Sequence, residues 1–196
     1  ILSLFRPPLL LESVLENRSP TYPEIVATAA SMEVKTVAME RNHRLVIGDD
    51  VVVTVLSPTP TNPGRLADDR ALVLKFHHAG QTVLITSDTG SATAHELLRV
   101  GADLRADLWI RGQHSEGVPT PEAFVRAVNA QAVLSSHADF PGSEMIPLSL
   151  REKLSEEGVP LFEIGPSGTL SIEWSATGLR ILPFVHPDES LFLPAP

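Results

Sequence analysis

The chain has 196 residues, a formal charge of −9 and 43% hydrophobic residues, which suits one soluble globular domain with a real core. The acidic balance excludes a broad basic surface holding nucleic acid by counterion release, but not a metal-dependent nuclease, whose bound cations supply positive charge at the scissile phosphate. With no cysteine, disulfides, thiolate nucleophiles and Cys-ligated zinc are ruled out, and no apolar run approaches the roughly 20 residues needed to insert into lipid.

Residues 1–19 are rich in Leu and Pro without a clean period and read as a strand or loop. Leu2–Leu11 lacks the basic segment and small-residue cleavage site of a signal peptide, and the start at Ile1 reads as a piece of something longer. Thr21 to Ala30 has helical character, with Ser19 or Thr21 as cap, Pro23 in the first turn and Glu24 at the positive end of the helix dipole. Val34–Ala38 and Leu45–Ile47 are short strands. Val51–Leu56 is a buried strand running into the proline-rich loop Ser57–Gly64, where three prolines forbid a ladder.

Ala71–Phe76 and Thr82–Thr86 flank His77–Gln81 with hairpin spacing and Gly80 at a position needing positive φ. Three strand–helix steps follow. Thr82–Asp88 leads to a helix over Ala92–Val100 that stops near Gly101. Leu108–Ile110 leads to a helix opened by Thr120-Pro121-Glu122 and reaching Val128, then to the strand Ala132–Ser135. Leu148–Glu157, with capping-box spacing at Ser149 and Glu152, is closed by Gly158 before the strand Leu161–Ile164. Thr169–Trp174 and Leu179–Ile181 alternate around Ser175–Gly178 as an edge hairpin. Residues 1–184 thus form one α/β domain, with 185–196 as a C-terminal tail, and the pattern implies sheets each covered by helices on one face.

The chemistry-bearing candidates sit where strands end. Asp88 closes an apolar strand, where a lone carboxylate is costly to bury; it is either a metal ligand or the cap of the helix beginning near Ser91. His114, between Gly112 and Gly117, is a metal ligand oriented by Gln113, Ser115 or Glu116, or a solvated loop histidine. His137, with Asp139 nearby, is a further ligand or a general acid. Asp68 and Asp69 either approach the same rim or form an Asx-turn. His77 and His78 belong to a hairpin turn and face solvent. His43, His95 and His186 have no constellation around them. Phosphate-loop, nucleophile-elbow and His-Glu-x-x-His motifs are absent from the sequence.

The order of these segments resembles the C-terminal metallo-β-lactamase-like domain of the ComEC/Rec2 competence family over residues 20–175. Val55-Leu56-Ser57-Pro58 falls in place of that family's strand ending in Leu-x-Pro, and Arg70–Leu74 in place of its Asn-x-Ser-Leu-Val-Leu. Thr86-Ser87-Asp88 followed by Glu96-Leu97-Leu98 is similar to its Thr-Gly-Asp strand and helix, and Gln113-His114-Ser115-Glu116 to its His-His-Gly-Ser turn. Ala132–Ser135, Gly158–Ile164 and Gly168-Thr169-Leu170 match its later steps. The family's His-x-His-x-Asp-His cluster has no counterpart in this sequence. Ser87 replaces a glycine, Gln113 a histidine, and Asp139-Phe140-Pro141 stands for Gly-His-Pro.

The resemblance implies a metallo-β-lactamase-like αββα sandwich, its C-terminal portion, that cuts phosphodiester bonds with metal-activated water. Zinc or manganese would be the cofactor of the intact site, with Asp88 and His114 as catalytic ligands beside His137, or no metal would be held by this chain. DNA and the membrane channel segments of a parent bacterial DNA-uptake protein would be its partners. A degenerate, non-catalytic structural module and a stand-alone hydrolase of the same fold are the alternatives.

Overall fold

The computed structural model describes residues 2–17, 19–61, 68–112, 120–137 and 145–196. In chain order these form a one-turn helix α1 (Leu2–Phe5), β1 (Leu9–Ser13), α2 (Tyr22–Ser31), β2 (Lys35–Met39), β3 (Arg44–Ile47), β4 (Val51–Ser57) and a 3-10 turn at Asp68–Arg70. There follow β5 (Val73–His78), β6 (Gln81–Ser87), α3 (Ser91–Arg99), β7 (Leu108–Arg111), α4 (Glu122–Val128), β8 (Ala132–Ser135), α5 (Leu148–Glu156) and β9 (Leu161–Glu163). The chain closes with a helical turn α6 (Ile164–Ser167), β10 (Leu170–Ser175), β11 (Gly178–Pro183), a 3-10 turn at Pro187–Glu189 and β12 (Leu191–Pro194).

The main sheet runs β3-β4-β5-β6-β7-β8-β9 in sequential order. Strands β3 to β6 are antiparallel, and the last pairings, β6 to β9, are parallel. Parallel neighbours need a crossover, and α3, α4 and α5 supply the three of them. Between β5 and β6 the two-residue turn Ala79-Gly80 takes positive φ at both positions, 49° and 79°, the backbone twist that a tight hairpin requires.

Side chains of the parallel strands alternate between two cores, as a period of two demands. Leu84, Trp109 and Val133 face the helices, packing with Leu97, Phe124, Val128, Leu150 and Leu154. Their neighbours Val83, Leu108, Ala132 and Leu134 face the other way, onto Leu179, Ile181 and Leu193 of the antiparallel sheet β10-β11-β12. Helices, the seven-stranded sheet and the three-stranded sheet therefore stack as layers around two cores. The pair β1-β2 is parallel and separate from both sheets among the described residues.

Several expectations change. The hairpin is tighter than the spacing implied, so His77 and His78 lie inside β5 rather than in a turn. His77 is exposed, but His78 is not: it contacts Asp50 at 3.0 Å and meets Trp174 edge-on at 5.5 Å. Residues 2–5 are helical, not strand or loop. Thr21 stands at the start of α2 but makes no side-chain cap bond. The caps of α4 and α5 are Pro121 and Pro147, which displace Thr120 and leave Ser149 inside its helix without a capping box. The hairpin β10-β11 packs as a second sheet instead of lying at the edge of the main one.

The segment read as a tail is built into that second sheet. β12 pairs with β11, Leu193 is buried, and the buried amide of Gln81 donates from Nε2 to the carbonyls of Leu193 at 2.9 Å and Pro194 at 3.2 Å. Removing it would strand that amide and uncover Leu179 and Ile181. A chain ending at Val185 is therefore expected to lose about 3 kcal/mol or more in urea unfolding; an unchanged midpoint would restore the tail reading.

Candidate functional site

Four parallel strands end together, and their registers fix which residues share the rim. Ser87 pairs with Arg111, Arg111 with Ser135 and Ser135 with Glu163, so the four form one row across β6, β7, β8 and β9. Asp88, Gly112 and His137 follow just beyond it. The carboxyl ends of parallel strands are where α/β sheets present ligand-binding groups, because the loops diverge there and leave a crevice.

Ser87 takes φ of 50°, a left-handed conformation that costs a non-glycine residue about 1 kcal/mol. Its hydroxyl donates to Leu72 O at 2.8 Å, which offsets part of that cost, and its carbonyl accepts from Gly112 N–H at 2.7 Å. The turn lifts Asp88 out of the sheet, where it is exposed and lines a cleft of about 680 Å³ together with Asp68, Arg70 and Tyr22. Gly90, not Asp88, holds the cap position of α3, in extended backbone. The carboxylates of Asp68 and Asp88 are both engaged rather than free.

Gly112 is pressed against this turn. A Cβ there would lie 2.6 Å from the carbonyl carbon and oxygen of Ser87 and would overlap Asp88 Oδ1. Only glycine lets β7 approach the Asp88 turn this closely.

Arg111 points to the helix side, the same face as Trp109 two residues before it. It is 8% exposed, its Nη1 has no hydrogen-bond partner, and no ion pair to it exists among the described residues. Burial alone pulls its guanidinium down to about 10, since desolvation penalises the charged form. At neutral pH it stays protonated, so the fold carries a strain of about 3 kcal/mol at this residue.

His137 is buried at the end of β8. Its Nδ1 lies 3.1 Å from Ser135 Oγ and its Nε2 3.3 Å from Glu163 Oε1, which also accepts from Arg151 Nη2 at 2.7 Å. Nδ1 shares a hydrogen bond with the serine hydroxyl, and Nε2 lies in close contact with the Glu163 carboxylate, so both ring nitrogens face protein groups. Asp69 is buried and accepts from Thr93 Oγ1 at 3.1 Å. It braces the first turn of α3 rather than standing in the cleft.

Asp88 and His137 thus share a rim, with β7 between their strands, a separation of two strand spacings, roughly 10 Å. His114 and Asp139 lie outside the described residues. Among the described residues no three His, Asp or Glu side chains converge as metal ligands. Among the described residues the donor set around the exposed Asp88 does not close a metal centre, because a tightly held ion needs three or more protein ligands.

Sequence reasoning passed over Arg111, Glu163 and the close approach of Gly112. The first was findable, because period two from Trp109 puts an arginine on a helix-covered face. The other two depend on register between strands far apart in the chain.

No protein-family model matches the sequence, and no curated protein matches it significantly. Among solved structures, the diiron β-hydroxylase CmlA from Streptomyces venezuelae overlays with a TM-score of 0.51 at 13% identity, covering 78% of this chain and 38% of that one. Igni18, a metallo hydrolase from the hyperthermophilic archaeon Ignicoccus hospitalis KIN4/I, overlays at 0.51 and 11% identity, covering 89% and 83%. A Thermotoga maritima protein assigned as a zinc-dependent hydrolase of the metallo-β-lactamase superfamily overlays at 0.39 and 12% identity, covering 80% and 82%. The chain spans just over a third of the length of CmlA. The fold is a metallo-β-lactamase-like sandwich.

Two substitutions probe the rim. Gly112→Ala is expected to lower stability by about 1–3 kcal/mol, because backbone must move to admit the methyl group. Asp88→Ala, at an exposed position, is expected to cost less than about 0.5 kcal/mol. Chemical denaturation of both variants checks the pair, and a large loss for Asp88→Ala would make that carboxylate a structural partner instead of a cleft group.

Proposed function

We propose that this chain is a metallo-β-lactamase-like hydrolase domain of the ComEC/Rec2 DNA-uptake type, acting on phosphodiesters at the Asp88 rim with a loosely held divalent ion. The observation that carries this reading is the placement of Asp88: an exposed carboxylate at the carboxyl end of a central strand, on the wall of a cleft of about 680 Å³. Asp88 and His114 are the ligands this chain would supply. A divalent ion held there would neutralise phosphate charge and lower the pKa of a bound water. The chain's own part is to orient: Gly112 and the Ser87 turn fix where Asp88 stands, and Arg70, whose Nη1 donates to Glu16 O at 2.8 Å, adds positive charge to the cleft wall.

Two protein ligands hold zinc or manganese weakly. Purified protein is therefore expected to retain far less than one ion per chain, and to cut single-stranded DNA only with manganese in large excess. Asp88→Ala and His114→Ala should each lower that activity by about 100-fold or more, in line with the loss of a ligand from a metal site. Metal analysis and a nuclease assay check this together, and an ion bound tightly at one per chain would overturn the loose-site reading.

A second reading has its own support. His137 is buried, with Nδ1 hydrogen-bonded to Ser135 and Nε2 3.3 Å from Glu163, and Gln113 and Phe140 stand where the resembling family has histidines, a pattern that suits a non-catalytic module of the same uptake protein. Cleavage absent even at high manganese, with DNA binding intact, would select it.

A further inference from the structure

Arg111 poses a problem that the rim chemistry leaves unsolved. An arginine more than nine-tenths buried normally finds a carboxylate or several carbonyl oxygens, yet its Nη1 has no partner. It lines a small pocket with Thr86, Thr89, Gly90, Ser91 and Gly112. The far wall of that pocket is the start of α3, a nine-residue helix whose cap, Gly90, offers no side-chain acceptor to its first amides. Those amides and the positive end of the helix dipole therefore meet a buried cation across one pocket. Two sources of positive potential directed into one space destabilise the empty site and favour an anion in it.

We propose that the pocket between Arg111 and the start of α3 binds a small oxyanion, a phosphate or carboxylate group. The free space is about 20 Å³, close to what one water-sized group needs. One anionic oxygen enters, accepting from Arg111 Nη1 and the amides at the start of α3, while the remainder of the group stays at the mouth. Neither neighbouring carboxylate lines this pocket: Asp69 accepts from Thr93 Oγ1, and Asp88 lines the cleft. The site needs no metal, so it stands or falls separately from the hydrolase reading. If both hold, it is where a phosphate of the substrate backbone is received.

The test is thermal unfolding of the full chain in EDTA, titrated with inorganic phosphate and, separately, with acetate, against chloride at equal ionic strength. The wild type is expected to gain stability with phosphate or acetate beyond the chloride control. Arg111→Met should need about tenfold more anion for the same gain, while melting no lower than the wild type in chloride, because it removes an unpaired buried charge. Ser91→Asp places a carboxylate at the start of α3 and should melt higher with no further response to phosphate. A short oligonucleotide that displaces bound phosphate identifies a substrate backbone as the source; displacement by acetate alone identifies a carboxylate ligand. An equal phosphate response in wild type and Arg111→Met overturns the proposal. So does a wild type that responds to neither phosphate nor acetate beyond the chloride control.

Discussion

The molecule depends on the alternation of side chains in β6 to β9 between two cores. Because Val83, Leu108, Ala132 and Leu134 face the second sheet while Leu84, Trp109 and Val133 face the helices, a shift of one residue in any strand would turn its apolar set toward the wrong layer. That constraint holds four strand ends in register and builds the rim on which every functional argument rests. Trp109 reinforces it by donating from Nε1 to Thr86 Oγ1 at 3.0 Å, which ties β7 to the end of β6 inside the helix-side core.

The same alternation explains why the rim is chemically uneven. On its helix-facing row it carries Thr86, Arg111, Ser135 and Glu163, and these are drawn into the protein rather than toward the cleft. Glu163 is engaged by Arg151 and His137 through Oε1, whereas Arg111 is left with an unanswered donor. Asp88 escapes that fate because the left-handed turn at Ser87 swings it outward. A metal-supporting rim and an anion-supporting pocket thus arise on either side of one turn. They answer to different forces: ligand count and geometry for the first, and the cost of a desolvated cation for the second.

Much of the architecture was legible because burial periodicity and turn chemistry are local. The strands at Val51–Leu56 and Ala132–Ser135, the three crossover helices, and the stops at Gly101 and Gly158 all follow from patterns within ten residues. The last strand was not. Val185–Pro196 has no strong alternation of its own, and it is ordered by Gln81 and Leu179, residues distant in sequence. Capping was misread for a related reason: Thr120 and Ser149 carry the right side chains, but Pro121 and Pro147, one and two residues away, take the cap positions.

The sequence by itself determined the element types, the absence of thiol chemistry and the candidacy of Asp88, because each follows from residue identity and short-range spacing. Only the tertiary structure decided that Asp88 opens onto a cleft, that His137 is buried against Ser135 and Glu163, and that Arg111 is buried with no ion pair among the described residues. Those outcomes turn on which strands become neighbours and in what register, and pairing between distant segments is settled by the packing of whole layers rather than by any local run of residues.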